Sequence, residues 1–254
     1  MAQSEIGAQL YTLRDFTKTP SDFARTIKKV KKIGYDAVQL SAHGPIDPKE
    51  LKKIVDGEGV KVAATHVGLD RLQKEINAVI DEHRLWGCKH IAIGGVPMEY
   101  HNLEGYKKFA REGAEIARKL AKAGLTFSYH NHQLEFEKHN GRRGIEILIE
   151  ESDSKVFFFE VDTYWVQYGG GDPVFRIRKM KNRMPLVHFK DMTISKGAQV
   201  MAEVGEGNLN WAEIIRACKD VGVEWFLVEQ DTCQRDPFES LAMSLRNLKQ
   251  FFLE

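Results

Sequence analysis

Thr126-Phe127-Ser128-Tyr129-His130-Asn131-His132-Gln133-Leu134-Glu135 begins as an apolar, β-leaning run and ends in imidazole, amide and carboxylate groups. A strand alternates its side chains, so His130 and His132 fall on one face. Two imidazoles at that spacing, at the exit of a buried strand, can converge on a metal or a substrate. They can equally be two solvated histidines at a polar strand end. The rest of the chain has to decide between the two.

Outward from this strand the same unit recurs. On its N-terminal side, strands are predicted at residues 6–11, 37–40, 60–65 and 90–93, with a loop over 14–20. Helices are predicted at 21–33 (capped by Ser21), 48–58, 69–86 and 103–123. On the C-terminal side, strands are predicted at 156–162, 186–189 and 225–228. The helices there are 144–151, 173 to about 180 (opened by Asp172-Pro173), 211–221 (capped by Asn210) and 237–252. Eight strands alternating with eight helices imply a parallel sheet with right-handed crossovers. At roughly 30 residues per unit, that is the size of a closed (β/α)₈ barrel. The predicted fold is α/β, a single TIM-barrel domain over residues 1–254. An open doubly wound sheet usually has fewer units, and no Gly-x-Gly-x-x-Gly follows the first strand here.

The bulk numbers narrow the function classes. The chain has 254 residues, 43% hydrophobic and 29% charged, which suits a soluble globular protein with a sizeable core. A formal charge of +1 gives no overall field toward nucleic acid or an anionic membrane. Cys88, Cys218 and Cys233 are too few and too scattered for a disulfide scaffold or a thiolate zinc site. No apolar run is long enough to span a bilayer. No signal peptide precedes the first strand. The start Met1-Ala2-Gln3-Ser4 suits a cytoplasmic protein, and equally a periplasmic one whose signal has been trimmed.

In such a barrel the site is built at the C-terminal ends of the strands. The first strand ends near Gln9 and Tyr11, and the third at His66. The fifth ends His130-Asn131-His132 and the sixth Glu160-Val161-Asp162. The seventh ends His188-Phe189-Lys190-Asp191 and the eighth Glu229-Gln230-Asp231. Buried polar groups are costly unless paired. A divalent cation would satisfy this set, and its mixed nitrogen and oxygen donors suit Mn²⁺, Co²⁺, Zn²⁺ or Fe²⁺ better than Ca²⁺. The competing reading is an ion-pair network, Asp162 with His188 and Glu229 with Lys190.

These residues carry a resemblance. Gln9-Leu10-Tyr11-Thr12-Leu13-Arg14-Asp15, Tyr129-His130-Asn131-His132, Val161-Asp162-Thr163-Tyr164-Trp165, His188-Phe189-Lys190-Asp191, Gly205-Glu206-Gly207 and Val228-Glu229-Gln230-Asp231 together resemble the xylose-isomerase-like TIM-barrel superfamily, in its sugar phosphate isomerase/epimerase branch. In the related ketose epimerases a divalent metal, often Mn²⁺, is held by Glu, Asp, His and Glu from strands five to eight. The resemblance therefore implies Asp162, His188 and Glu229 as ligands. His130 stands where the fifth-strand Glu is expected. The metal it implies is Mn²⁺ first, with Co²⁺, Zn²⁺, Fe²⁺ and Mg²⁺ open. The Tyr-His-Asn-His pattern is also similar to the inosose dehydratases.

The expected activity is that of a metal-dependent isomerase or epimerase of a sugar or keto-sugar, acting through an enediolate. An inosose-type dehydratase or lyase is the alternative, and a non-catalytic carbohydrate-binding barrel is a third. Glu229 is the expected base, and His132 an acid on the other side. Lys190 and Asp191 orient a hydroxyl or the ligand shell, His66 and Gln9 contact the substrate, and Trp165 forms an apolar wall for it. The expected partner is a small carbohydrate, with neither nucleic acid nor membrane. Homo-oligomers are frequent in the superfamily. A DNA-repair endonuclease of the same superfamily would need more metal ligands and a basic face. Gly169-Gly170-Gly171, ahead of a helix, could bind an anion. It follows strand six, whereas barrel phosphate sites usually follow strands seven and eight, so a non-phosphorylated substrate fits at least as well.

Overall fold

Small side chains on four strands, facing large ones on two others, let the sheet close. The computed structural model describes residues 5–253. Residues 1–4, on which the reading of the N-terminus rests, and residue 254 lie outside the described residues. The barrel strands are β1 (Glu5–Gln9), β2 (Ala37–Leu40), β3 (Lys61–His66), β4 (His90–Ile93), β5 (Thr126–His130), β6 (Phe157–Asp162), β7 (Leu186–Phe189) and β8 (Trp225–Val228). They pair in the order β1–β8–β7–β6–β5–β4–β3–β2 and close, every pair parallel. Ala37, Ala64 and Ala92 pack with Leu186 and Leu227 as a floor across the barrel. Gly7 completes it, because a Cβ there would lie 2.9 Å from Leu227 Cδ2.

Side chains repeat every second residue along a strand. Two residues above the floor lie Gln9, Gln39 and His66 on β1 to β3, and Gly94 just past β4. His188 on β7 and Glu229, just past β8, take the same level. The strand period alone thus lifts the interior from an alanine and leucine floor to a polar layer at the C-terminal mouth.

The outer helices follow from their caps and apolar stripes. Thr19, Asp47, Asn102, Asp172 and Asn210 each accept a first-turn backbone N–H. The helix expected to start at Ser21 begins one residue earlier, at Pro20, because Thr19 and not Ser21 supplies the cap. The loop expected at 14–20 is partly a 3₁₀ helix, Leu10–Phe16, which turns the chain immediately after Gln9. The single helix expected over 69–86 is two, Leu69–Lys74 and Ile76–Trp86. They break at Glu75, which has φ −128° and ψ 29°, with no Gly or Pro to mark the place. After β7 the chain forms a hairpin, Asp191–Ser195 against Ala198–Ala202.

One buried group makes stability depend on pH. His83 is fully buried between β3 and the helices, with Nδ1 donating to the Val79 carbonyl and Nε2 accepting from Thr65 Oγ1. Burial lowers its pKa to about 4. Its folded pKa lies below the unfolded value. The stability it contributes is therefore present above pH 6.5 and is lost as pH falls toward 4. A difference of that size is worth up to about 3 kcal/mol. His83→Gln is expected to flatten the stability profile between pH 6.5 and 4. An unchanged slope in urea titrations would show that other groups set it.

Candidate metal centre at the barrel mouth

Four strand ends deliver four buried donors to one point. His130 closes β5, Asp162 closes β6, His188 lies inside β7, and Glu229 follows β8. One ligand atom from each lies within 4.8 Å of every other, and all four residues are buried. His130 Nε2 is 3.2 Å from Asp162 Oδ2, and His188 Nδ1 is 2.9 Å from Glu229 Oε2. The Asp162 backbone N–H donates to Asn131, and its Oδ1 accepts from the Trp165 N–H. That leaves Oδ2 for the cluster. Two imidazoles and two carboxylates at this spacing fit a divalent cation.

The charges are compatible with one. Glu160, Asp162 and Glu229 are buried together and Asp231 is nearly so, against the single ammonium of Lys190. Lys190 Nζ lies 3.0 Å from Asp162 Oδ2, 2.7 Å from Glu229 Oε2 and 3.0 Å from Asp231 Oδ1. Burial opposes ionisation of Glu229, but Lys190 and His188 outweigh it and hold the carboxyl well below its usual range. Burial likewise opposes charge on His188, but Glu160 and Glu229 raise it to about 10. Without a metal, His188 thus serves as a second cation. Burial and the charge of Glu229 push Asp231 up to about 6. Both ion pairs expected from the sequence are therefore present, Asp162 with His188 at 3.8 Å and Glu229 with Lys190. They occupy the same carboxylate oxygens that a metal would use.

Beneath the four donors runs a chain of directed hydrogen bonds. Gln9 Nε2 donates to Gln39 Oε1, and Gln39 Nε2 donates to Glu160 Oε1. His188 Nε2 donates to Gln39 Oε1 at 2.7 Å, with Glu160 Oε1 3.3 Å away. This fixes His188 so that its Nδ1 faces the donor cluster, the usual arrangement behind a ligating imidazole.

The expected substrate contacts divide. His66 stands at the mouth, with Nε2 2.6 Å from Glu160 Oε2 and its ring stacked on His188 at 5.3 Å. Trp165 lies beside His132 at 5.4 Å and under Lys190, and its Nε1 is buried with no hydrogen-bond partner among the described residues. His132 belongs to the same wall, 4.8 Å from the His130 ring. Burial, His130 and Lys190 lower its pKa to about 3. The expected acid is thus a neutral imidazole here, too weak a base to carry a proton near neutral pH. Gln9, expected against substrate, is fully buried and braces Gln39, with Oε1 taken by the Tyr11 N–H.

Asp191 also departs from expectation. Its carboxylate accepts from the N–H groups of Met192, Gly205, Gly207 and Leu209 and from Trp211 Nε1. It anchors the loop after the hairpin and has no reach left for a substrate hydroxyl. Gly207 is required there, since a Cβ would sit 2.3 Å from Asp191 Oδ1. Asp191→Ala strips five donors of one acceptor and is expected to cost on the order of 3 kcal/mol. Wild-type thermal melting of that variant would contradict the anchoring role. The glycines at 169 and 171 also have a packing reason, since a Cβ on either would lie 2.6 or 2.8 Å from the Phe136 ring.

Glu160, Gln39 and Asp231 are parts of the cluster to which the sequence reading assigned no role. A signal existed for two of them. Glu160 is two residues before Asp162 and shares its face. Gln39 is the one polar residue in the four-residue strand β2.

A closed eight-stranded parallel barrel with buried donors at its C-terminal mouth defines a TIM-barrel protein with a site able to hold a divalent cation. The chain belongs to the family described as xylose isomerase-like TIM barrel, whose profile matches residues 27–251. An inosose dehydratase of Clostridium beijerinckii is 22% identical over 267 residues, covering 90% of this chain and 89% of that protein. A sugar phosphate isomerase/epimerase from Parabacteroides distasonis superposes with a TM-score of 0.83 at 23% identity, over 98% of this chain and 94% of that one. The structure of an L-ribulose 3-epimerase gives 0.75 at 17% identity, over 99% and 95%. Among the described residues, no helix is long and apolar enough to cross a membrane.

Proposed function

We propose that this protein is a metal-dependent isomerase or epimerase of a non-phosphorylated sugar or keto-sugar. The observation that carries the reading is the convergence of His130, Asp162, His188 and Glu229 from four successive strands on one buried point. A divalent ion held there, Mn²⁺ by family precedent, would polarise a carbonyl and so acidify the neighbouring C–H. The chain's own residues do the rest. Glu229, kept ionised by Lys190, removes the α-proton and leaves an enediolate. Lys190, its three donors directed at Asp162, Glu229 and Asp231, balances the carboxylate charge beside the reacting carbon. Trp165 packs against the sugar ring. Neutral His132 accepts a hydroxyl hydrogen bond on the same wall.

One observation favours a second reading, a dehydratase. His130 replaces the fifth-strand carboxylate, so the cluster lacks the second Glu that a symmetrical acid–base exchange would use. Relatives matched over most of the chain are named inosose dehydratases. Metal analysis of the purified protein, followed by a keto-sugar and inosose panel in D₂O, tests both readings. Bound metal with deuterium at the α-carbon and no loss of water supports the isomerase or epimerase. An ultraviolet-absorbing enone supports the dehydratase. Neither metal nor exchange with any member would overturn both.

A further inference from the structure

We propose that Tyr168 and Trp165 form a second-ring subsite at the mouth of the barrel, so that the bound carbohydrate carries a further ring in glycosidic linkage. The inference rests on the carbohydrate reading above and extends it outward from the donor cluster. Asp162 ends β6 and accepts from the Trp165 N–H, so the short helix Thr163–Tyr168 starts directly at the cluster. One helical turn sets residues three and four apart side by side. Trp165 and Tyr168 are therefore neighbours, with ring centres 5.6 Å apart, and Tyr164 and Tyr168 stack at 5.7 Å. These rings continue a series that begins at the donors. The His188 ring lies 4.4 Å from His130, His130 lies 4.8 Å from His132, and His132 lies 5.4 Å from Trp165.

Exposure rises along that series. His188 and His130 are buried, His132 and Trp165 are half-buried, and Tyr168 is 41% exposed. A large ring left singly on a surface needs no explanation. This one is the outer end of an unbroken wall that leads from a buried polar site to solvent. It is also held in place. Tyr164 is buried behind it and packs with Met192 and Met201 of the hairpin. The chain turns directly after it, with the Gly169 N–H donating to the Trp165 carbonyl and no room for a Cβ against the Phe136 ring. A ring fixed in this way gives up little freedom on binding. Two rings make too small a patch for a protein partner. Aromatic faces take the C–H face of a sugar or the face of another aromatic ring. With Trp165 against the sugar that meets the donors, Tyr168 lies about one sugar unit further out. A linked ring reaches it, and a free monosaccharide does not.

Matched glycosides built on glucose, galactose and xylose test this and separate the sources of the ring. Each set holds the methyl β-glycoside, the phenyl β-glycoside and a β-linked disaccharide, titrated by calorimetry in the presence of Mn²⁺. In at least one set the second ring is expected to tighten binding about three- to tenfold over the methyl glycoside, the range of one ring contact. A gain with the disaccharide alone assigns the subsite to a sugar, and a gain with the phenyl glycoside alone assigns it to an aryl group. Tyr168→Ala should bring the two-ring ligands down to the affinity of the methyl glycoside and leave the methyl glycoside itself unchanged. Tyr168→Phe should keep the full gain, because the contact uses the ring face and not the hydroxyl. Two-ring ligands that bind no tighter than methyl glycosides, a gain that survives Tyr168→Ala, or no binding of any glycoside would overturn the proposal. Exchange of a free keto-sugar in D₂O without any such gain leaves the isomerase reading intact and removes this one. A gain without exchange of any keto-sugar does the reverse.

Discussion

Glu229→Gln is expected to lower α-proton exchange by about 10²- to 10⁴-fold, the range spanned by a positioned general base. The argument starts from placement. Glu229 follows the short apolar strand β8, so its side chain is delivered to the polar layer two residues above Leu227. Lys190 and His188 keep it ionised despite burial. The amide is nearly isosteric, so the barrel should persist. It also removes a ligand charge, and metal affinity will fall with it. Exchange must therefore be measured at saturating metal, with bound metal quantified in parallel. A variant that holds metal as wild type and exchanges at the wild-type rate would remove Glu229 from the base role. A variant whose loss disappears at high metal concentration would make Glu229 a ligand alone.

The fold was legible because its signals are local and repeated. Most barrel strands are short apolar runs between a helix stop such as Gly34 or Gly222 and a polar exit. The core positions of the donor set were legible for the same reason, since strand ends are where a parallel barrel presents side chains. Long-range pairing was not. Asp191 and Lys190 are adjacent in sequence and follow the same strand, yet one turns into a loop anchor and the other into the cluster. Only the return of residues 205–211 past the hairpin decides which. Likewise Gln39 and Glu160 are 121 positions apart, and nothing near either one indicates that an amide and a carboxylate will meet. The neutral state of His132 depends on how deeply its neighbours bury it, which the alternation of a strand does not reveal.

Lys190→Met is expected to destabilise the metal-free protein by about 3–5 kcal/mol, the cost of leaving buried charge without its partner. The lysine is held from both ends. Its N–H donates to Thr163 Oγ1, and its carbonyl accepts from the same hydroxyl. The ammonium, 1% exposed, is the only lysine or arginine charge within ion-pair distance of Asp162 and Glu229 among the described residues. Removing it leaves those carboxylates facing Asp231 with His188 alone to balance them. For a chain of this length the loss corresponds to a drop in Tm of roughly 10 °C. The metal supplies the contrast. A divalent ion that binds the same oxygens in the folded state only would, at a hundred times its Kd, add about 2.7 kcal/mol. Without Lys190 competing for those oxygens the variant should gain more from the ion than wild type does. The expected result is a large Tm gap in EDTA that narrows as Mn²⁺ or Zn²⁺ is added. A gap of the same size at all metal concentrations would mean that lysine and metal occupy separate sites. No gap in EDTA would mean that His188 carries the cluster unaided, and the ammonium would then be free to serve the substrate alone.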